Sequence, residues 1–181
     1  RVALSLSGRK RWQRYLVGVR QWSSSGLSEE LTTVRCCPDD LRILKGGSAG
    51  RRKILDTALC QLRPGYAQAL GEYKKLYDSK SRILKDYHEA PSLLAPLPEF
   101  NYRLAQVRAV IIAYRAKFLR QLSKQPRLYH AEFSGRREAL SLVHQTVSTV
   151  TDPFAEKKVI CQQLLDHQQA HYRAELDYGQ C

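Results

Sequence analysis

The chain has 181 residues, and its 30 Lys and Arg outnumber 17 Asp and Glu to give a formal charge of +13. That length supports one sizeable core. The charge favours a polyanionic partner, nucleic acid ahead of an anionic membrane surface. No apolar run is long enough to span a bilayer and the basic start lacks a signal-peptide core, so the chain reads as soluble and cytoplasmic with no membrane partner.

Residues 1–37 read as β. Val2, Leu4 and Leu6 alternate, Gly8-Arg9-Lys10-Arg11 is a basic hairpin turn, and Trp12 to Val19 returns. Leu31 to Cys37 is a third candidate strand, closed by Pro38. From Gly50 the pattern becomes helical, with a short helix over Arg51 to Leu62 punctuated by Pro64. Tyr66, Leu70, Tyr73, Tyr77, Lys80, Leu84 and Tyr87 then recur at spacings of four and three, a heptad seam with Lys80 as its one polar member. After the Pro- and Leu-rich loop Ala90 to Pro98, a second seam runs through Leu104, Val107, Ile111, Tyr114, Phe118 and Leu122. Two such seams predict an antiparallel helical hairpin. Each arm would be roughly 35 Å long at ~1.5 Å per residue. The tyrosines lie on the seam and read as core rather than as a base-stacking platform. Pro126 ends or kinks the second arm. Ala139 to Val150 reads as a strand, and Asp152-Pro153 starts a last helix that runs to about Leu176. The expected class is α+β, mainly α: a coiled-coil-like long-helix hairpin with further helices and a few flanking strands. The expected domains are a β-rich segment 1–49 and a helical arm 50–181.

Little in the sequence spells out chemistry. Gly46-Gly47-Ser48-Ala49-Gly50-Arg51-Arg52 lacks the spacing and the lysine of a P-loop. It can hold a phosphate on free backbone N–H groups with Arg51 or Arg52, or it can be a tight turn feeding a helix; both readings stand. His167 and His171 have zinc-like spacing, but Gln168 stands where a metalloprotease has glutamate, and no third ligand is evident. The five cysteines (Cys36, Cys37, Cys60, Cys161, Cys181) are odd in number and form no CxxC pair, which argues against a zinc ribbon or a disulfide framework. No nucleophile–base arrangement stands out, so no residue is assigned a catalytic role and no metal site is expected. The candidate nucleic-acid contacts are Lys45, Arg51 and Arg52 first, then Lys74, Lys75, Arg136 and Arg137. Each cluster can also be only a solvated basic face.

The block Pro38-Asp39-Asp40-Leu41, Lys45-Gly46, Arg51-Arg52 and Leu55-Asp56 resembles the PEDL…KG…RR…LD pattern of the RecF family of bacterial recombination and repair proteins. Gln61-Leu62-Arg63-Pro64-Gly65-Tyr66 resembles the family's Pro-Tyr step into a long helix. Lys80 and Ser81 stand at the Arg and Asn of its QRN-LLK stretch, and Arg115 and Phe118 match an R..F on the second arm. Ser134-Gly135-Arg136-Arg137-Glu138-Ala139-Leu140-Ser141-Leu142 resembles SGG.E.LSL, and Gly179 falls at the glycine before GPHRDD. Cys36, Asp39 and Ser48 depart from the usual aromatic, Glu and Pro.

The resemblance implies an SMC-like ABC ATPase whose lobe I binds ATP and Mg and whose lobe II is a helical arm. It implies dimerisation on ATP and binding near single-strand/double-strand DNA junctions. It further implies action with RecO and RecR to help load RecA on gapped DNA during recombination, replication, repair and the SOS response. The chain has no Met and begins mid-alternation at Arg1, so it reads as a middle section, lobe II with flanking lobe I strands. The Walker A, signature and Walker B motifs are absent, so this piece is expected to hold no cofactor and not to hydrolyse ATP. The rival readings are a protein-interaction or dimerisation arm with no DNA binding of its own, a small enzyme with an unrecognised site, and a piece that does nothing alone without the rest of lobe I.

Overall fold

A computed structural model describes residues 2–7, 12–17, 20–22 and 46–179. The chain divides into two compact units, Arg1–Ala67 and Gln68–Cys181. The described residues are mostly helical.

In the first unit three short strands form one antiparallel sheet in the order β1-β2-β3: Val2–Ser7, Trp12–Val17 and Arg20–Trp22. Val2 pairs with Val17 and Ser7 with Trp12, the register expected of a hairpin. The second strand is described to Val17, which pairs with Arg20 of the next strand; Gly18 and Val19 lie outside the described residues. The candidate strand Leu31–Cys37 lies outside the described residues, as do Pro38 to Lys45.

Helix α1 covers Ser48–Leu62. It stops at Arg63, whose extended backbone (φ −142°, ψ 95°) is what a following proline favours. Helix α2, Pro64–Asp86, restarts at once with proline in its first position, where a missing N–H costs nothing. The Arg63 carbonyl accepts the first bonds of α2, from Tyr66 N (2.9 Å) and Ala67 N (3.2 Å). Tyr66 is fully buried and its hydroxyl donates to Asp56 Oδ1, which ties the start of α2 to α1. The boundary between the units falls inside α2.

The second unit is built around α3, Leu97–Leu122. A 3₁₀ turn, Pro91–Leu94, leads into it. Helix α4 follows over Lys124–Phe133, α5 over Lys157–Ala170 and α6 over Tyr172–Tyr178. The seam on α3 is only half of its buried surface. Leu104, Val107 and Ile111 are buried as expected, but so are Ala105, Ala109, Ile112, Ala113 and Ala116 on the adjoining face. A helix apolar over so much of its circumference belongs at the centre of its unit. The alanines let another backbone come close, and the tightest packing is of α3 on α5 rather than on α2. Ala105, Ala109 and Ile112 of α3 meet Ile160 and Leu164 of α5, with Val150 closing the cluster. Between α2 and α3 the salt bridge Arg103–Glu72 (2.7 Å) is exposed on both sides.

Two expected elements differ. Residues 139–150 form no strand: 138–147 are irregular and Val143 is 76% exposed. Strand propensity counts only where a neighbouring strand supplies ladder partners. Asp152-Pro153 does not open the last helix. The Asp152 carboxylate instead accepts from Phe154 N (2.8 Å) in a local turn, and α5 begins at Lys157. That last helix is also broken at His171, so α5 and α6 are separate. Pro126 ends α3 as expected: it offers no N–H to the Leu122 carbonyl four residues back, so the helix breaks at Ser123 and Pro126 itself sits in the first turn of α4.

The turn after α4 explains Ser134-Gly135-Arg136-Arg137. Arg136 N donates to Ala131 O (2.7 Å) and Gly135 N to Glu132 O (3.2 Å), a Schellman cap. Gly135 (φ 59°) and Arg136 (φ 61°) both take left-handed backbone, and only the first is a residue suited to it. Arg136→Gly is therefore expected to raise stability by about 0.5–1 kcal/mol, read as a higher midpoint in urea denaturation. An unchanged or lowered midpoint would show that the Arg side chain contributes more than its backbone costs.

Candidate nucleic-acid interface

The start of α1 is an electropositive helix end. Gly47 is its N-cap, no side chain caps the first turn, and no acidic residue stands there. The free N–H groups make this end partially positive, so cations there are opposed by the helix dipole. Yet Arg51, Arg52 and Lys53 follow directly, all exposed. Arg51 Nη1 donates to Gly46 O at 2.6 Å and so folds back over the glycine loop. Helix stability alone does not favour this arrangement; an incoming anion does. Lys45 lies outside the described residues.

Lys74 and Lys75 are exposed on α2, and neither makes an ion pair among the described residues. Arg136 and Arg137 are exposed at the cap of α4, where Arg137 Nε donates to Ser134 O (3.0 Å). The three pairs stand on three separate elements. Arg51 and Arg52 belong to the first unit, the other four residues to the second.

Lys80, the polar residue on the α2 seam, is fully buried and its Nζ lies 2.7 Å from Glu175 Oε2 of α6. The sequence reading did not find this partner. The signal was available, since a lysine on an apolar seam requires a carboxylate. Beside the pair, Tyr87 Oη donates to Leu176 O (3.1 Å). Gly179 caps α6 at φ 60°, where a Cβ would lie 3.2 Å from Leu84 O. Seam positions Tyr73 and Tyr77 are not sealed core. They line a cleft of about 400 Å³ together with Lys80, Arg108, His167 and Glu175, and Tyr77 stays 39% exposed.

His167 and His171 stack, with ring centroids 4.0 Å apart, and His171 Nδ1 lies 2.9 Å from His167 O. Among the described residues no group of three His, Cys, Asp or Glu side chains gathers as metal ligands would. Also among them, no helix is long and apolar enough to cross a membrane. His144 is half-buried with an unpartnered Nδ1. Burial, and then the charge of Arg115, hold its pKa below the ordinary 6.5. The unfolded chain then takes up a proton that the folded chain resists, so stability is expected to fall as pH drops below about 6.5. Urea midpoints across pH 5–7.5 for the wild type and His144→Gln read this, and a slope that survives the substitution would locate it elsewhere.

Curated proteins named DNA replication and repair protein RecF match much of the chain. The Agathobacter rectalis protein is 32% identical over 130 residues, 72% of this chain. That of Symbiobacterium thermophilum is 30% identical over 165 residues, 91% of this chain. The Bacillus subtilis protein is 30% identical over 130 residues. The chain belongs to the RecF family. It spans 35–43% of the length of these RecF relatives. No protein-family model matches it. Two solved structures of the recombination mediator protein RecF in the RecFOR pathway, 24% identical to this chain, share its fold over 94% of its length. Their TM-scores are 0.84 and 0.80, and the chain covers 45% of each. Within this RecF-family chain, several residues that carry the resemblance are architectural. Asp56 and Tyr66 bond to each other, Lys80 anchors α6, and Gly135 and Gly179 cap helices.

Proposed function

We propose that this chain is the arm-bearing section of a RecF-type recombination mediator, and that it contributes phosphate contacts along a DNA path. In this reading residues 1–49 belong to lobe I and 50–181 to the helical lobe II. The protein works in the cytoplasm in DNA replication, recombination, repair and the SOS response. It binds gapped DNA near single-strand/double-strand junctions, dimerises on ATP, and helps RecO and RecR to load RecA.

The observation that carries DNA contact is the placement of Arg51 and Arg52 at the uncapped, positive end of α1, against the helix dipole. Lys45, six residues before Arg51 in the sequence, and Lys74, Lys75, Arg136 and Arg137 of the second unit are the further candidate contacts. ATP and Mg belong to the family's nucleotide site. We place none of that site on the loop before α1, whose sequence lacks the Walker lysine. We assign this stretch no hydrolytic step.

The test is binding to a labelled gapped duplex across a salt series, with Arg51→Ala/Arg52→Ala alongside. Tight binding that weakens steeply with salt is expected, with the variant's log–log slope shallower by about one for each phosphate contact removed. No binding at low salt, or an unchanged variant, would favour the second reading, a dimerisation or partner-docking arm. The large exposed apolar residues at the end of α4, Leu128, Tyr129 and Phe133, are what favour that alternative.

A further inference from the structure

The cleft in the second unit has an unbalanced hydrogen-bond inventory. Its wall includes Tyr73 and Tyr77 from α2, Arg108 from α3, and Ser148 and Thr149 from the segment before α5. None of these five side chains makes a hydrogen bond or ion pair among the described residues. All five can donate. Glu175, the carboxylate of the wall, is already engaged by Lys80 at 2.7 Å, and the amide of Gln168 donates to Asn101 Oδ1 at 3.2 Å. Of the five, Arg108 alone can only donate, while the four hydroxyls can donate or accept, so the charge of Arg108 makes an anionic acceptor the complement of the cleft.

The kind of anion follows from the rest of the wall. About 400 Å³ is too roomy for a lone oxyanion and suits one or two side chains. A nucleic-acid strand gains by spreading its phosphates over many cations on an open track. Here one unpaired arginine stands in a half-enclosed place. The same wall holds two tyrosines whose ring centroids lie 5.9 Å apart, and its one lysine, Lys80, is neutralised by Glu175. Arginine with tyrosines in a concave, partly desolvated site is the make-up of a protein–protein hot spot, and a guanidinium fork matches one planar carboxylate.

We propose that this cleft is a docking pocket for a carboxylate-bearing segment of a protein partner. The carboxylate sits on Arg108 with Ser148 and Thr149, and an adjoining aromatic or aliphatic side chain lies against Tyr73 and Tyr77. The carboxylate can come from an acidic side chain or a chain terminus. The pocket stands independently of the DNA reading and does not use its basic clusters.

The test is an amide NMR titration of the full chain with four probes: acetyl-Asp-Phe-amide, acetyl-Asn-Phe with a free terminus, the neutral acetyl-Asn-Phe-amide, and a short oligothymidylate. Shifts at residues 148 and 149 with one or both carboxylate probes, and none with the neutral one, are expected. The responding arm tells a side-chain carboxylate from a terminus. Arg108→Gln should weaken that binding at least tenfold with helical content unchanged, whereas Lys74→Ala/Lys75→Ala should leave it intact. Should Arg108→Gln unfold the chain, Ser148→Ala/Thr149→Val serves as the second variant and should weaken binding severalfold. Equal binding of the neutral probe, shifts from the oligothymidylate in place of the peptides, no shifts at all, or indifference to both pocket variants would overturn the proposal.

Discussion

Lys80→Met should destabilise the chain by about 3–5 kcal/mol, although methionine suits an apolar seam better than lysine does. The ammonium has no solvent exposure, and Glu175 beside it is only 16% exposed. Removing the cation leaves a largely buried carboxylate without its ammonium partner, open to water only on the side that lines the cleft, which is the expensive way to break a buried pair. Replacing both members is a different matter. Lys80→Met/Glu175→Leu removes the desolvation cost along with the attraction and should recover most of the loss. Urea unfolding followed by far-UV circular dichroism reads both, since α2 and α6 are helical. A single variant that costs less than about 1 kcal/mol would mean that the carboxylate finds water or another donor once Lys80 is gone.

The second large effect lies between α3 and α5. Ile160→Ala should cost about 2–5 kcal/mol, because Ile160 is wholly buried among Ala105, Ala109, Ile112 and Val150, and rigid helix backbones cannot collapse into the space it leaves. The companion change, Ala109→Leu, adds volume where two helices touch and should cost about 1–3 kcal/mol. The two together locate the core. Were α3 packed chiefly on α2 through the large seam residues, Ala109→Leu would be nearly neutral and Tyr114→Ala would be the damaging change. Tyr114 is only half-buried, so the reverse order of midpoints is expected.

Why some of this was legible in the sequence is visible in particular residues. The β1–β2 hairpin follows from alternation around a Gly-led basic turn, and the stop of α1 from Pro64, because both are local effects. The mainly helical class follows from two long periodic stretches. What failed was pairing. The seam on α3 was scored by its large residues, and the alanines that bring α5 close carry little hydrophobic weight individually. Residues 139–150 have strand composition, but composition cannot supply a neighbour. Asp152-Pro153 is equally good as a helix start or an Asx turn, and the choice was made by Thr151, which exchanges two hydrogen bonds with Gln163 (3.3 and 2.9 Å). At the candidate interface the basic positions could be named from sequence, but that Arg51 would lie back on Gly46 O could not. In the sequence Arg108 is a single arginine on a helix; only the cleft gives meaning to its lack of a partner among the described residues.

The Lys80–Glu175 pair also bears on the rate at which the second unit comes apart. Its members are 95 residues apart in sequence, so closing that span costs chain entropy, and the bond gains little until α3 and α5 have packed. An interaction of that kind is made late on the way in and broken early on the way out. It adds little to the speed of folding and much to the barrier against unfolding. A residue that interrupts an apolar seam thus serves as a brake, lengthening the lifetime of the folded unit more than it hastens its formation.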